Sequence, residues 1–238
     1  MTVVDERHVR LAGTRNLRDV GGYPAGRGRQ TKWRTLFRSD ALDQLPPASQ
    51  AALVRRGLRL AIDLRWPTEL ETAPSVFVSS PAVRYVSIAL VDDAKPPPSG
   101  VRAAYFRMID ERGPQLAAVV RSLLDFESLP AVIGCAAGVD RTGMTIALIL
   151  AAVGVPDDVI VEDYALSVAS YEGDGRDAGL TDWRAGVVTL DCRPEYMADA
   201  LERLRQRQGG AAGLLAANGL SAADLDRLRE LLTERIDS

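Results

Sequence analysis

Residues 134–145 read G-C-A-A-G-V-D-R-T-G-M-T, and the chain on either side gives them a context. Upstream, residues 130–135 (P-A-V-I-G-C) are a short apolar run, which predicts a buried strand ending at Cys135. Downstream, residues 142–153 are apolar nearly all round, which predicts a buried helix. Between them lie the small residues Ala136, Ala137 and Gly138, then Val139 and Asp140, with Arg141 six positions after the cysteine. A strand, a tight loop and a helix in that order can curl the loop so that its backbone N–H groups converge at the helix N-terminus, where they form an anion nest. The small side chains let the backbone come close to a bound anion.

The residue types then specify a chemistry. Ala136, Ala137, Gly138, Val139, Asp140 and Arg141 are the expected phosphate-binding set. Arg141 would grip two phosphate oxygens through its planar fork. Cys135 would sit at the base of a positively polarised bowl, where a thiolate is favoured over a thiol. A thiolate beneath a phosphoryl group is placed for in-line attack through a cysteinyl-phosphate intermediate. Thr142 is placed to hydrogen-bond the sulfur and steady it as a leaving group.

Composition closes off other chemistries. The chain has 238 residues, 47% hydrophobic and 26% charged, with a net charge of -3. That is the balance of a globular protein with its own core, and it disfavours a basic nucleic-acid binder. It has one histidine, His8, and two cysteines, Cys135 and Cys192, 57 positions apart. No Cys/His spacing suits a zinc site, and one histidine near a terminus does not suit a Ser-His-Asp or Cys-His triad. No metal and no organic cofactor is expected. Residues 1–13 lack the apolar core of a secretory signal, and the longest apolar stretch, residues 144–155, is too short to span a bilayer. A cytoplasmic location without stable membrane insertion is the expectation. Only Lys32 and Lys95 are lysines among 29 basic residues, a bias that by itself assigns no function.

Further outward, residues 59–65 (R-L-A-I-D-L-R) read as a buried strand with Asp63 near its C-terminal end, residues 83–90 as another strand, and residues 34–38 as a partner strand near the N-terminus. Helices are expected over residues 46–56, 101–109, 113–126, 156–169, 194–206 and 221–236. The last begins with Ser221 and Asp224 in a capping-box arrangement. Residues 92–100, with three consecutive prolines, read as a surface loop, and residues 171–181 as a glycine-rich loop. Strand and helix alternate with no composition break. The expectation is one α/β domain over residues 1–238, with a central, mostly parallel sheet flanked by helices.

The segment C-A-A-G-V-D-R-T-G resembles the active-site motif of cysteine-dependent protein tyrosine phosphatases. More closely, it is similar to an atypical bacterial and fungal tyrosine phosphatase family whose motif runs H-C-x-A-G-K-D-R-T-G. Further blocks resemble that family in order: T-R-N-L-R-D-V-G-G at residues 14–22, L-F-R-S-D at 36–40, D-L-R with Glu69 from residue 63, and E-D-Y-A-L-S at 162–167. The resemblance implies a tyrosine-phosphatase-like fold and phosphomonoester hydrolysis, with phosphotyrosine as the main substrate class. It also allows phosphoserine, phosphothreonine and phosphoinositide activity. It departs at Gly134, where the family has His, and at Val139, where the family has Lys. Both departures are expected to weaken anion binding and raise the Cys135 pKa, and Val139 argues against polyanionic lipids.

The leaving group needs a proton, and a nearby carboxylic acid is the usual donor. The resemblance points to Asp140. Asp63 competes because strand ends in a parallel sheet share one crevice. Asp92 and Asp93 are further candidates. Arg65 and Glu69 are expected to pair locally, Asn16 to Asp19 to organise the N-terminal strand, and Cys192 to be a bystander. The expected partners are a phosphorylated protein or small phosphomonoester and phosphate- or sulfate-type anions, and nucleic acid is not among them. A contrasting expectation is a phosphate-binding module with little turnover.

Overall fold

The computed structural model describes residues 6–90, 99–171 and 192–236. A five-stranded sheet runs in the order β1 (Arg18–Asp19), β3 (Leu36–Ser39), β6 (Ala131–Gly134), β4 (Leu60–Asp63), β5 (Arg84–Ser87). β3, β6, β4 and β5 are parallel neighbours and only β1 is antiparallel. The expected mostly parallel α/β architecture is thus the one observed. β1, β3, β4 and β6 are buried along their length, while the edge strand β5 is partly exposed, and side chains alternate between the two faces. Leu36, Leu60, Ile62, Ala131 and Ile133 enter one core, while Phe37, Ala61 and Val132 enter the other.

The smaller core is covered by α1 (Pro47–Arg55) through Leu53. The larger core lies under α3 (Val101–Glu111), α4 (Gly113–Leu123), α5 (Asp140–Val153), α6 (Asp157–Ala169), α7 (Pro194–Gln208), α8 (Gly210–Ala217) and α9 (Ala222–Leu232). A short helix, α2 (Pro67–Thr72), follows β4. No helix among the described residues is long and apolar enough to cross a membrane.

Several boundaries differ from the sequence expectations, each for a local reason. α5 begins at Asp140 rather than 142, because the Val139 carbonyl already accepts from the Gly143 N–H at 2.7 Å. α4 stops at Leu123, and Asp125 then caps a 3₁₀ turn, Phe126–Ser128, by accepting from the Glu127 N–H. The helix expected to run to residue 236 stops at Leu232. Its Ser221–Asp224 capping box is formed, but Thr233–Arg235 becomes strand β7, antiparallel to β2 (Arg29–Thr31). α8 was not legible, since its opening glycines are poor helix formers and it forms by packing Ala211, Leu214 and Leu215 into the core.

The register brings Ser39, Gly134 and Asp63 side by side at the C-terminal ends of three parallel strands. There the chain after β6 lies almost on top of β3. A Cβ at Gly134 would sit 2.9 Å from the Asp40 carbonyl oxygen. One at Gly138, whose φ is +68°, would sit 2.4 Å from the Ser39 carbonyl oxygen. Both positions therefore need glycine, and Gly138 needs it twice over, for space and for backbone conformation.

Behind this crossing is a buried charge cluster. Asp163 of α6 receives Arg38 Nη1 at 2.5 Å, Arg18 Nε at 3.3 Å and the Tyr23 hydroxyl at 2.9 Å. Ser167 Oγ accepts from Nη2 of both arginines, at 3.0 and 3.3 Å. Burial pushes the Asp163 carboxyl up, but Arg18 and Arg38 overcome it and hold it at about 2. Burial and the neighbouring Arg38 bring Arg18 down to about 10, so it still carries its charge at neutral pH.

Two outcomes follow. Asp163→Asn leaves two buried guanidinium groups short of a counter-charge and is expected to cost about 3–5 kcal/mol in urea unfolding at pH 7. The carboxylate's contribution is complete above its unfolded pKa of about 4 and is lost as pH falls toward about 2. Wild type should therefore lose more stability than the variant between pH 7 and pH 2.5, and equal losses would contradict this account. Gly134→His, which restores the residue of the similar family, is expected to destabilise by about 1–3 kcal/mol through overpacking on the Asp40 carbonyl. An unshifted urea midpoint would show that the strand end tolerates a side chain.

Candidate active site

Cys135 follows directly on β6 and is 2% exposed, at the base of the loop that leads into α5. The loop carbonyls are all held from outside. The Ala136 oxygen accepts from the Ala41 N–H at 3.1 Å. The Ala137 oxygen accepts from Asn16 Nδ2 at 3.1 Å and the Tyr171 hydroxyl at 2.5 Å. The Gly138 oxygen accepts from Asn16 Nδ2 at 3.1 Å and Arg38 Nη2 at 2.8 Å. The Val139 oxygen is taken by α5. In a trans peptide the C=O and the following N–H point in opposite directions. The N–H groups of Ala137, Gly138, Val139 and Asp140 therefore face away from these partners, toward the concave side of the loop, as an anion nest requires.

Asn16 thus braces the loop itself, not only the N-terminal strand. Its own backbone N–H, with that of Arg15, is held by Asp40 at 3.0–3.2 Å. Arg18 donates to its side-chain oxygen. Asp19 does organise the strand region, accepting from the Gly21 and Arg34 N–H groups. The roles of Asn16, Arg38, Asp163 and Tyr171 were not read from the sequence. The ordered blocks around them were the only signal, and a block does not say which carbonyl its side chain reaches.

Arg141 opens α5 and is gripped by Glu69, Nη1 to Oε2 at 2.5 Å and Nη2 to Oε1 at 2.9 Å. Glu69 also accepts from the Trp66 N–H at 2.8 Å, so the start of α2 fixes the carboxylate that fixes the arginine. The Trp66 ring lies 5.6 Å from the guanidinium carbon. Burial alone would lower the Arg141 pKa, but the bonds to Glu69 and the nearby Cys135 sulfur raise it, so it is always charged. The fork's remaining N–H groups are not used by Glu69. The expected Arg65–Glu69 pair is corrected here. Arg65 instead pairs with Asp63, Nε to Oδ1 at 3.0 Å and Nη2 to Oδ2 at 2.8 Å, because both lie on the turn leaving β4.

The two acid candidates have different surroundings. Asp63 is 7% exposed, and its oxygens accept from the Arg65 side chain and N–H and from the Tyr85 hydroxyl. That is the geometry of an anchor for the β4–α2 turn rather than of a proton donor. Asp140 is half-buried at the rim of the loop, with Oδ1 accepting from the Tyr105 hydroxyl at 2.7 Å. Asp92 and Asp93 lie outside the described residues, as does most of the 171–181 loop.

Thr142 Oγ1 is buried with no hydrogen-bond partner among the described residues, an orphaned hydroxyl in the first turn after the loop. Val139 is 2% exposed and packs in the larger core, as Cys135 does. Cys192 donates to the Tyr164 carbonyl at 3.4 Å, and burial pushes its thiol up to about 11. It remains a thiol at neutral pH.

The chain is similar to several known proteins. A tyrosine-protein phosphatase of Nostoc commune is 28% identical over 225 residues, covering 87% of this chain and 76% of the relative. The triple specificity protein phosphatase PtpB of Mycobacterium tuberculosis is 28% identical, covering 93% of this chain and 98% of that one. Among solved structures, P. aeruginosa TpbA in complex with pTyr is 17% identical, with a TM-score of 0.45 over 84% of this chain and 95% of that chain. The model of the tyrosine phosphatase family matches residues 9–234, nearly the whole described fold, and the chain belongs to that family.

Proposed function

We propose that Cys135 is the nucleophile of a cysteine-dependent phosphatase, with Arg141 as the phosphate clamp and Asp140 as the general acid. The observation that carries this reading is the loop in which the carbonyls of Ala136, Ala137, Gly138 and Val139 are each bonded away from the concave side, above a buried cysteine. Three phosphate oxygens would lie among the inward N–H groups and the free edge of the Arg141 fork. The Cys135 sulfur attacks phosphorus, the bond to the leaving oxygen breaks, and that oxygen takes the Asp140 proton. Water then attacks phosphorus with the Asp140 carboxylate as base, releasing phosphate and the Cys135 thiolate. Thr142 has an unused hydroxyl with which to steady that thiolate.

The substrate class is phosphotyrosine in a peptide or protein. Its length suits a sulfur that is only 2% exposed. The relative named for triple specificity supports a range wider than phosphotyrosine alone. The apolar Val139, which adds no cation to the loop, weighs against multiply charged lipid headgroups. Two buried, unbridged thiols fit a reducing compartment such as the cytoplasm.

Hydrolysis of p-nitrophenyl phosphate tests the assignment. Cys135→Ser is expected to lose activity by about 10³-fold or more. Arg141→Lys is expected to lose about 10²–10³-fold in kcat, because an ammonium cannot reproduce the fork. Hydrolysis that survives in the serine variant would refute the nucleophile. Vanadate binding by a wild type that turns nothing over would favour a phosphate-binding module instead.

A further inference from the structure

Oδ1 of Asp140, the general acid proposed above, is held by a buried tyrosine. Tyr105, in the middle of α3, is fully buried and reaches Asp140 Oδ1 at 2.7 Å. Its hydroxyl oxygen is also 2.7 Å from the hydroxyl of Tyr164 on α6. The two rings meet edge to face, with centroids 6.1 Å apart at 83°. Tyr164 is packed in turn against the backbone of α5, where a Cβ at Gly143 would touch its ring at 3.0 Å. Three elements therefore fix the two hydroxyls: α3, α5 and α6.

The direction of this chain follows from what each group can do. An ionised carboxylate only accepts, so Tyr105 must donate to Oδ1. The Tyr105 oxygen is then left to accept from Tyr164. Burial, then the Asp140 charge, raises the Tyr105 pKa well above its ordinary value, so the hydroxyl keeps its proton throughout the working range. When Asp140 takes up a proton, Oδ1 is already an acceptor.

We infer that Tyr105 is a positioning residue for proton transfer: it holds Oδ1 and so sets the orientation of the Asp140 carboxyl toward the leaving oxygen, while Tyr164 fixes the direction of its hydroxyl. This rests on Asp140 being the general acid, and it adds what makes a short loop aspartate a directed donor. Among the described residues, titratable groups that interact with Asp140 include Tyr105 on α3, Tyr164 on α6, Arg141 on its own helix and Cys192 ahead of α7. Of these, Tyr105 is the one with a hydroxyl at hydrogen-bond distance from Oδ1.

The test compares phenyl phosphate, whose poor leaving group needs the acid, with p-nitrophenyl phosphate, which needs it less. Both are measured across pH for wild type, Tyr105→Phe, Tyr164→Phe and Asp140→Asn. Phenylalanine keeps both rings and their edge-to-face packing. Tyr105→Phe is expected to lower kcat on phenyl phosphate about 10-fold, a part of what a general acid supplies, with KM unchanged and a smaller loss on p-nitrophenyl phosphate. The Tyr105 bond favours the ionised form of Asp140, so its loss raises the Asp140 pKa and moves the alkaline limb of kcat to higher pH. Tyr164→Phe should move the limb the same way by less, and it serves as the readout if Tyr105→Phe fails to fold. Equal losses on both substrates with an unmoved limb would overturn the positioning role while leaving Asp140 as the acid. If Asp140→Asn itself shows no dependence on the leaving group, the acid assignment fails and the positioning role goes with it.

Discussion

The carboxylate of Asp163, sealed between Arg18 and Arg38, is the constraint on which the loop's shape depends. Its two arginines do not end there. Arg38 continues to the Gly138 carbonyl, and Arg18 to Asn16, whose amide holds the Ala137 and Gly138 carbonyls. Buried ion pairs seldom add net stability, because desolvation consumes most of the attraction. Here the pair's value lies in geometry. A carbonyl bonded to a fixed guanidinium cannot swing inward, and a carbonyl that stays out keeps the next N–H in.

The same close fit accounts for the two departures from the similar family. Position 134 faces the Asp40 carbonyl so closely that glycine is the residue the crossing accepts. Position 139 is buried in the larger core, where an apolar side chain packs without the desolvation that a lysine would face. Neither residue reads as damage to a working site. The positive field left to the bowl then comes from backbone N–H groups, the start of α5 and Arg141, whose charge Glu69 holds in place.

The parallel sheet, the buried strands and the helix after the loop were legible because each is a run of apolar residues bounded by glycine, proline or charge. The loop was legible because cysteine, small residues and arginine at that spacing have few other uses. What could not be read is partner choice across long separations. Arg65 and Glu69 look like a local pair, yet they serve Asp63 and Arg141, and 72 positions separate Glu69 from its arginine. Tyr105 looks like one more apolar position on α3, and its hydroxyl matters only because the fold delivers α5 to it. The change from helix to strand after Leu232 likewise depends on β2, two hundred residues earlier, offering an edge.

A bowl whose walls are already braced gives up little freedom when an anion enters it. Nothing in the loop has to fold, and no carbonyl has to be pulled from water. That economy does not distinguish an anion bound to an alcohol from one that has just been freed. In the proposed role of the loop, inorganic phosphate meets the same ready-made cradle as the phosphoryl group of a substrate, so the rigidity that favours capture would also slow departure.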